Sequence, residues 1–322
     1  MGAYTNLESL QWLTEIDRYL TLRRNLGSQP SIGGPDGANR YLPHIFFVDS
    51  VHGSAAADGR TPDRAVTTVA LAQAQCTAGR GDFIVCLPGH AETFAAAAAL
   101  TLSVSGITLL GIGAGAMRPT FTWATSTAAT VVVSGNNITI KNILTTSTIA
   151  ALVKMFSVTG TNVTFDAVDY IEDGSTDCLQ FILTTAAADY LTVKNCSWIR
   201  DTTAASATSA WIGLVGADYC KILDNYGTMK DTANNADGFI VGATTLSKSV
   251  EISRNTFMHA GSNAAISISM FTGTTGTIRW NHVASGKTAI AGQVACASCY
   301  AFENYVNNTV NTSGLLDPVV DS

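Results

Sequence analysis

From Ile107 onward the chain returns repeatedly to one short pattern of alternating apolar and polar positions. "ITLLGI" begins at Ile107, "ITIKNI" at Ile138, "VTFDAV" at Val163, "LTVKNCSW" at Leu191, "CKILDNYG" at Cys220, "VEISRNTF" at Val250, "GTIRWNHV" at Gly276 and "CYAFENYV" at Cys299. Their first residues are 31, 25, 28, 29, 30, 26 and 23 positions apart. Alternation with period two predicts strands with one buried face. Asn or Gly tends to follow the alternating part, where a left-handed backbone would make a sharp turn.

One such strand per repeat is too sparse for a tight antiparallel meander. A coil with about three short strands per turn fits the spacing. Upstream of the repeats lie "ATVVVSG" near Val131, "LVKMFSVTG" near Phe156, "CLQFILTTA" near Phe181, "AWIGLVGA" near Ile212, "DGFIVGAT" near Phe239 and "AAISISMFTG" near Ile266. Together they predict an all-β fold, a single-stranded parallel β-helix in which strands stack rung on rung. A β-sandwich with coincidental spacing is the alternative.

A β-helix exposes raw backbone at its ends, so the N-terminal end needs a cover. Residues 45–98 supply a candidate cap. It reads as a strand at Ile45–Val48, a polar loop, and a helix opened by Thr61 and Pro62 and closed at Gly79. On that helix Ala65, Val69, Ala72 and Cys76 share one face. "RGDFIVCLPGHAETF" follows, from Arg80 to Phe94. It combines an Arg80-Gly81-Asp82 tripeptide, a strand Phe83–Leu87 expected on the first rung, and His90 and Glu92 in the turn after Pro88-Gly89. Turn chemistry accounts for these residues as an architectural joint, without an adhesion role.

Residues 1–44 read as a separate arm. Leu7, Leu10, Leu13, Ile16 and Leu20 fall on one face of a predicted helix over 5–26, and Trp12 widens the stripe. Thr5 and Glu8 form a capping box, and Arg23 and Arg24 sit at the favourable C-terminal end. A Gly/Pro-rich tether, "GSQPSIGGPDGANRYLP", joins this helix to the cap, and the coils with a C-terminal tail span 99–322.

The chain is 47% hydrophobic and only 13% charged, with a net charge of −6. No basic run is available for phosphate contacts, so no nucleic-acid partner is expected. No apolar stretch reaches about 18 residues, so no membrane span is expected. The first residues do not read as an export signal. The seven cysteines are expected to be reduced, small core residues, and Cys296-Ala-Ser-Cys299 lacks the further ligands of a zinc site. No cofactor is expected.

The order strand, Asp-Gly loop, Thr-Pro, short helix, Gly-Asp, apolar strand and Pro-Gly resembles the N-terminal cap of pectin-lyase-like right-handed β-helix proteins. The longer pattern "TAGRGDFIVCLPGHAETF", followed by "GITLLGIGAGAMRPTFTW", is similar to phage-encoded β-helix structural proteins. The resemblance covers roughly residues 45–310. It implies a right-handed coil and a structural role in a virion.

Some β-helix proteins cleave polysaccharides with paired carboxylates. The candidates are Asp166, Asp169, Glu172, Asp173 and Asp177, with Asp166 and Asp169 at or just after a strand and so placed to project from a turn. A solvated acidic turn is the plainer reading. Asn235-Ala236-Asp237-Gly238, within "NNADGF" at Asn234 to Phe239, resembles the Asn-Thr-Asp-Gly motif of polygalacturonases, but the Asp-Asp, Gly-His-Gly and Arg-Ile-Lys motifs of that family have no match. No catalytic residue is assigned. Asn137, Asn162 and Asn195 begin Asn-X-Ser/Thr triplets that read as rung turns.

The expected function is therefore a capsid decoration, or cement, protein on the virion surface. It would be made in the host cytoplasm, form a homotrimer and bind the major capsid protein. Leu7, Leu10, Trp12, Leu13, Ile16, Leu20, Arg23 and Arg24 would form the clamp. The alternative is a tailspike or tail-fibre β-helix that binds or cleaves host glycans through outward aromatics, for which Trp198, Trp211, Trp280 and Tyr305 are the candidates.

Overall fold

The structure is a computed structural model. It describes residues 43–172, 178–200, 210–229, 238–242, 244–259, 267–285, 293–296, 298–308 and 314–316. The chain divides into two units, Met1–Pro43 and His44–Ser322. The predicted arm helix and all eight clamp residues, Leu7 to Arg24, lie outside the described residues.

From Ile45 on, the chain coils into a right-handed parallel β-helix. Three ladders run its length. The first stacks Ile45–Val48, Phe83–Cys86, Thr108–Gly111 and the opening halves of Thr139–Ser147 and Thr164–Glu172. It continues through Thr192–Lys194, Lys221–Leu223, Val250–Ser253, Gly276–Arg279 and Cys299–Phe302. The second runs from Ala91–Phe94 to Asn304–Asn308, and the two long strands bend to serve both. The third is an eight-stranded sheet from Leu100–Leu102 to Val294–Ala295.

All eight repeat segments share one register on the first ladder. Its inward column is Phe46, Ile84, Leu109, Ile140, Phe165, Val193, Ile222, Ile252 and Ile278, all fully buried. The six upstream stretches form third-ladder strands, with Leu100, Val131, Phe156, Ile182, Ile212, Ile240 and Ile268 stacked inward. Each apolar side chain sits on its counterpart one rung below, so burial is continuous along the axis and drives the coil. Phe94, Trp123, Phe156, Phe181 and Trp211 continue this inside as ring contacts 5.2 to 5.9 Å apart.

The first ladder begins one rung earlier than the sequence suggests: Ile45–Val48 is its first strand and Phe83–Cys86 its second. The free edge of Ile45–Val48 is covered by the following loop. Phe47 N–H donates to Gly59 O (2.7 Å), Val66 N–H to Phe47 O (2.9 Å), and Asp49 N–H to Val66 O (2.8 Å). That pairing draws Val66 into a bridge with Val48. It also splits the predicted cap helix into a 3-10 turn, Pro62–Arg64, and a short α-helix, Val69–Gln73. The β-branched run Val66-Thr67-Thr68 favours the extended link, and the Thr68 side chain caps the helix by accepting from Leu71 N–H. Ala65, Val69 and Ala72 are nonetheless buried.

Turns differ from expectation in one respect. Asn142 and Asn195 occupy the left-handed region, at φ 54° for both. In four later rungs the left-handed residue is instead the one before the asparagine: Asp224, Arg254, Trp280 and Glu303, at φ 53–56°. The asparagines that follow, Asn225, Asn255, Asn281 and Asn304, point inward and are buried.

Cysteine bonding also departs from expectation. Cys296 and Cys299 form a disulfide, because the short corner between two strands brings their Cα atoms to 5.5 Å. Cys76, Cys86, Cys178, Cys196 and Cys220 are free thiols.

Candidate functional site

Asp166, Asp169 and Glu172 of the acidic run lie on the strand Thr164–Glu172, within the ladders. In-register stacking sets a cation beside Asp166 and Glu172, and Arg118 reaches Asp169 from two rungs away. Asp166 lies opposite Lys141 on one rung and Lys194 on the other. Its Oδ2 is 2.7 Å from Lys141 Nζ and 3.7 Å from Lys194 Nζ, and Oδ1 accepts from Asn195 Nδ2 at 2.9 Å. Asp169 pairs with Arg118 and accepts from Ser197 N–H at 2.7 Å. The Arg118 guanidinium also donates to Ile143 O (3.1 Å) and to Ala167 O, so one side chain ties three successive rungs.

Glu172 and Arg200 form an ion pair inside the coil, 3.1 Å apart, with neither side chain exposed. Glu172 Oε1 also accepts from Cys178 N–H at 3.4 Å. Asp173 and Asp177 lie outside the described residues, as do Asn235, Ala236 and Asp237 of the turn motif. Chemically, Asp166, Asp169 and Glu172 act as inter-rung latches. A glycosidase needs an outward acid and an outward base flanking a sugar, whereas the oxygens here are taken up by lysine, arginine and backbone N–H groups. Among the described residues no cluster of three or more His, Cys, Asp or Glu is placed to hold a metal ion.

The opening joint is also built inward. Asp82 is fully buried. Its carboxylate accepts from Arg80 (2.6 Å, twice), His44 N–H (2.7 Å) and Thr77 N–H (2.8 Å). Burial alone would push this carboxyl up, but Arg80 and the two backbone N–H groups hold it below the ordinary Asp value. Gly81, at φ 80°, makes the turn. His90 and Glu92 do not lie in a free turn. His90 is buried, and Glu92 belongs to the strand Ala91–Phe94. His90 Nδ1 accepts from Ser50 N–H at 3.1 Å, which leaves Nε2 to carry the proton toward Glu92 Oε2 at 3.4 Å. The same oxygen accepts from Val69 N–H, at 3.0 Å, at the start of the cap helix. His90 and Glu92 therefore pin cap to coil.

Two of the four aromatics expected outside are inside. Trp198 and Trp211 are buried and stacked, with centroids 6.3 Å apart. Each has an inward position in its ladder, where an indole fills the space between sheets. Trp280 and Tyr305 are exposed, with Tyr300 on the neighbouring face. Trp280 carries the Arg279 guanidinium over its ring at 4.2 Å and donates from its indole N–H to Glu303.

The buried asparagine column went unforeseen in the sequence. Asn255 Oδ1 accepts from both Asn225 N–H and Asn225 Nδ2; Asn281 serves Asn255, and Asn304 serves Asn281, in the same way. The signal was present in "DNYG", "RNTF", "WNHV" and "ENYV", where Asn recurs in one register.

No protein-family model and no curated protein matches this chain. Among solved structures, a protein described as a rhamnogalacturonan lyase is similar with a TM-score of 0.49 and 14% identity, over 75% of this chain and 74% of that chain.

Proposed function

We propose that this chain is a structural virion protein, a capsid decoration protein whose rigid β-helix stands on the shell. The observation that supports this reading is the use of charge. Lys141, Lys194, Arg118 and Arg200 each lock Asp166, Asp169 or Glu172 across rungs, so these three carboxylates stiffen the coil. In this reading the protein is a homotrimer. The amphipathic segment of Leu7, Leu10, Trp12, Leu13, Ile16, Leu20, Arg23 and Arg24 buries its stripe against sister copies and the major capsid protein.

The test is stoichiometric binding of the full chain to purified empty shells, compared with Leu13→Asp/Leu20→Asp. Shell-like copy numbers that fall with the variant support the proposal. Equal coating by the variant removes the clamp, and a count of only a few copies per particle places the protein in the tail. That second reading, a tail β-helix that binds or cleaves host glycan, is favoured by one observation, the exposed Trp280, Tyr300 and Tyr305. Mass spectrometry of incubated host polysaccharide checks it.

A further inference from the structure

The last coil among the described residues is closed by a covalent bond at its corner. Cys296 follows Val294–Ala295, the final third-ladder strand, and Cys299 opens Cys299–Phe302, the final first-ladder strand. The same corner spans Gly242 to Val250 two coils earlier and Ser269 to Gly276 one coil earlier, but only Ala295 to Cys299 here. The two sulfurs lie 3.7 and 3.4 Å from the carbonyl oxygen of Thr274, on the coil below. The disulfide therefore seats the shortest corner directly on its neighbour.

This coil needs such help. Among the described residues Cys299–Phe302 stacks on one first-ladder neighbour, Gly276–Arg279, and no strand follows it. Coils with one neighbour open most readily. The second-ladder strand beside it, Asn304–Asn308, is covered by the antiparallel strand Gly314–Leu316.

The bond is also placed to be reached. Cys296 and Cys299 are only half-buried, and Ser298 and Tyr300 beside them are exposed. The other thiols offer no competing exchange partners. Cys86, Cys178, Cys196 and Cys220 are buried, and burial pushes the half-buried Cys76 thiol up to about 12.

We propose that Cys296–Cys299 is a redox latch on the C-terminal coil, opened by dithiol reductants. One thiolate of the reductant attacks a cysteine sulfur, breaking the S–S bond and forming a mixed disulfide. The second thiolate then displaces that cysteine. The reductant leaves as its own disulfide, two electrons pass to the protein, and both cysteines take up protons. The freed corner lets the coil detach from Thr274 and unpairs Cys299–Phe302 from Gly276–Arg279 while the preceding rungs stay closed.

Hydrogen exchange of the full chain, with and without dithiothreitol, tests this. Reduction is expected to speed amide exchange over 294–305 by about tenfold or more, with 45–200 unchanged. The Cys296→Ser/Cys299→Ser variant is expected to exchange fast without reductant and to ignore it. Equal exchange in the oxidised and reduced protein overturns the latch. So does a double variant that still responds to dithiothreitol, or alkylation that finds both thiols free before reduction.

Discussion

Asn255 Oδ1 lies 2.9 Å from Asn225 Nδ2 and 3.0 Å from Asn225 N, although the two residues are thirty positions apart. Its own amide donates to Ile222 O at 2.9 Å. The same amide also donates to Asn281 Oδ1 at 2.9 Å, so one buried side chain serves polar groups on the rungs to either side. Asn255→Ala leaves two donors of Asn225 without their acceptor, and a loss of about 3 kcal/mol is expected. Urea denaturation checks it. A loss below about 1 kcal/mol would mean the column is ornamental to stability.

The Glu172–Arg200 pair is a second buried polar element. Glu172→Gln leaves the Arg200 charge poorly matched inside the coil and is expected to cost about 3–5 kcal/mol. Replacing both, as Glu172→Leu/Arg200→Met, removes the charges together and is expected to recover most of that loss. A double-mutant cycle on thermal melts gives the coupling, and additive losses would contradict the pair's mutual dependence.

Asp82 sets an acid limit on the cap. Its carboxyl is held below the ordinary value in the folded chain, so the folded state binds fewer protons than the unfolded one near pH 4. The stabilisation is complete above the unfolded Asp value and is lost as pH falls through the lower, folded one. Asp82→Asn is expected to flatten the acid limb of the stability curve below pH ~4. An unchanged acid limb would show that other carboxylates govern it.

The free thiols are expected to be silent in the native state. Cys76 and Cys220 are raised to about 12, mainly by desolvation, against 9.0 for an ordinary thiol. The thiolate fraction at pH 8 is then lower by about a thousandfold. Ellman's reagent should find no fast thiol in the folded, oxidised protein and five after unfolding without reductant. A fast-reacting thiol in the folded chain would point to local opening at the cap, where Cys76 is the half-buried one.

Much of the coil was legible in the chain. Alternation at Thr108, Thr139, Thr164 and Thr192 marks the first ladder because a one-residue slip would turn Leu109, Ile140, Phe165 and Val193 outward. The candidate site was less legible. Asp166 reads as acidic until Lys141 and Lys194, 25 and 28 residues away, stack on either side of it. Trp198 and Trp211 read as outward for the same reason, since facing direction in a three-sided coil depends on where each strand bends.

By itself, then, the sequence determined the period, the register of the repeats and the apolar columns, because backbone pairing and apolar burial recur at every rung. Only the tertiary structure decided which residues meet across rungs. Asn225 with Asn255, Glu172 with Arg200, and Asp166 with Lys141 are neighbours because successive strands of a ladder lie about 4.8 Å apart, a closeness that sequence separation does not express.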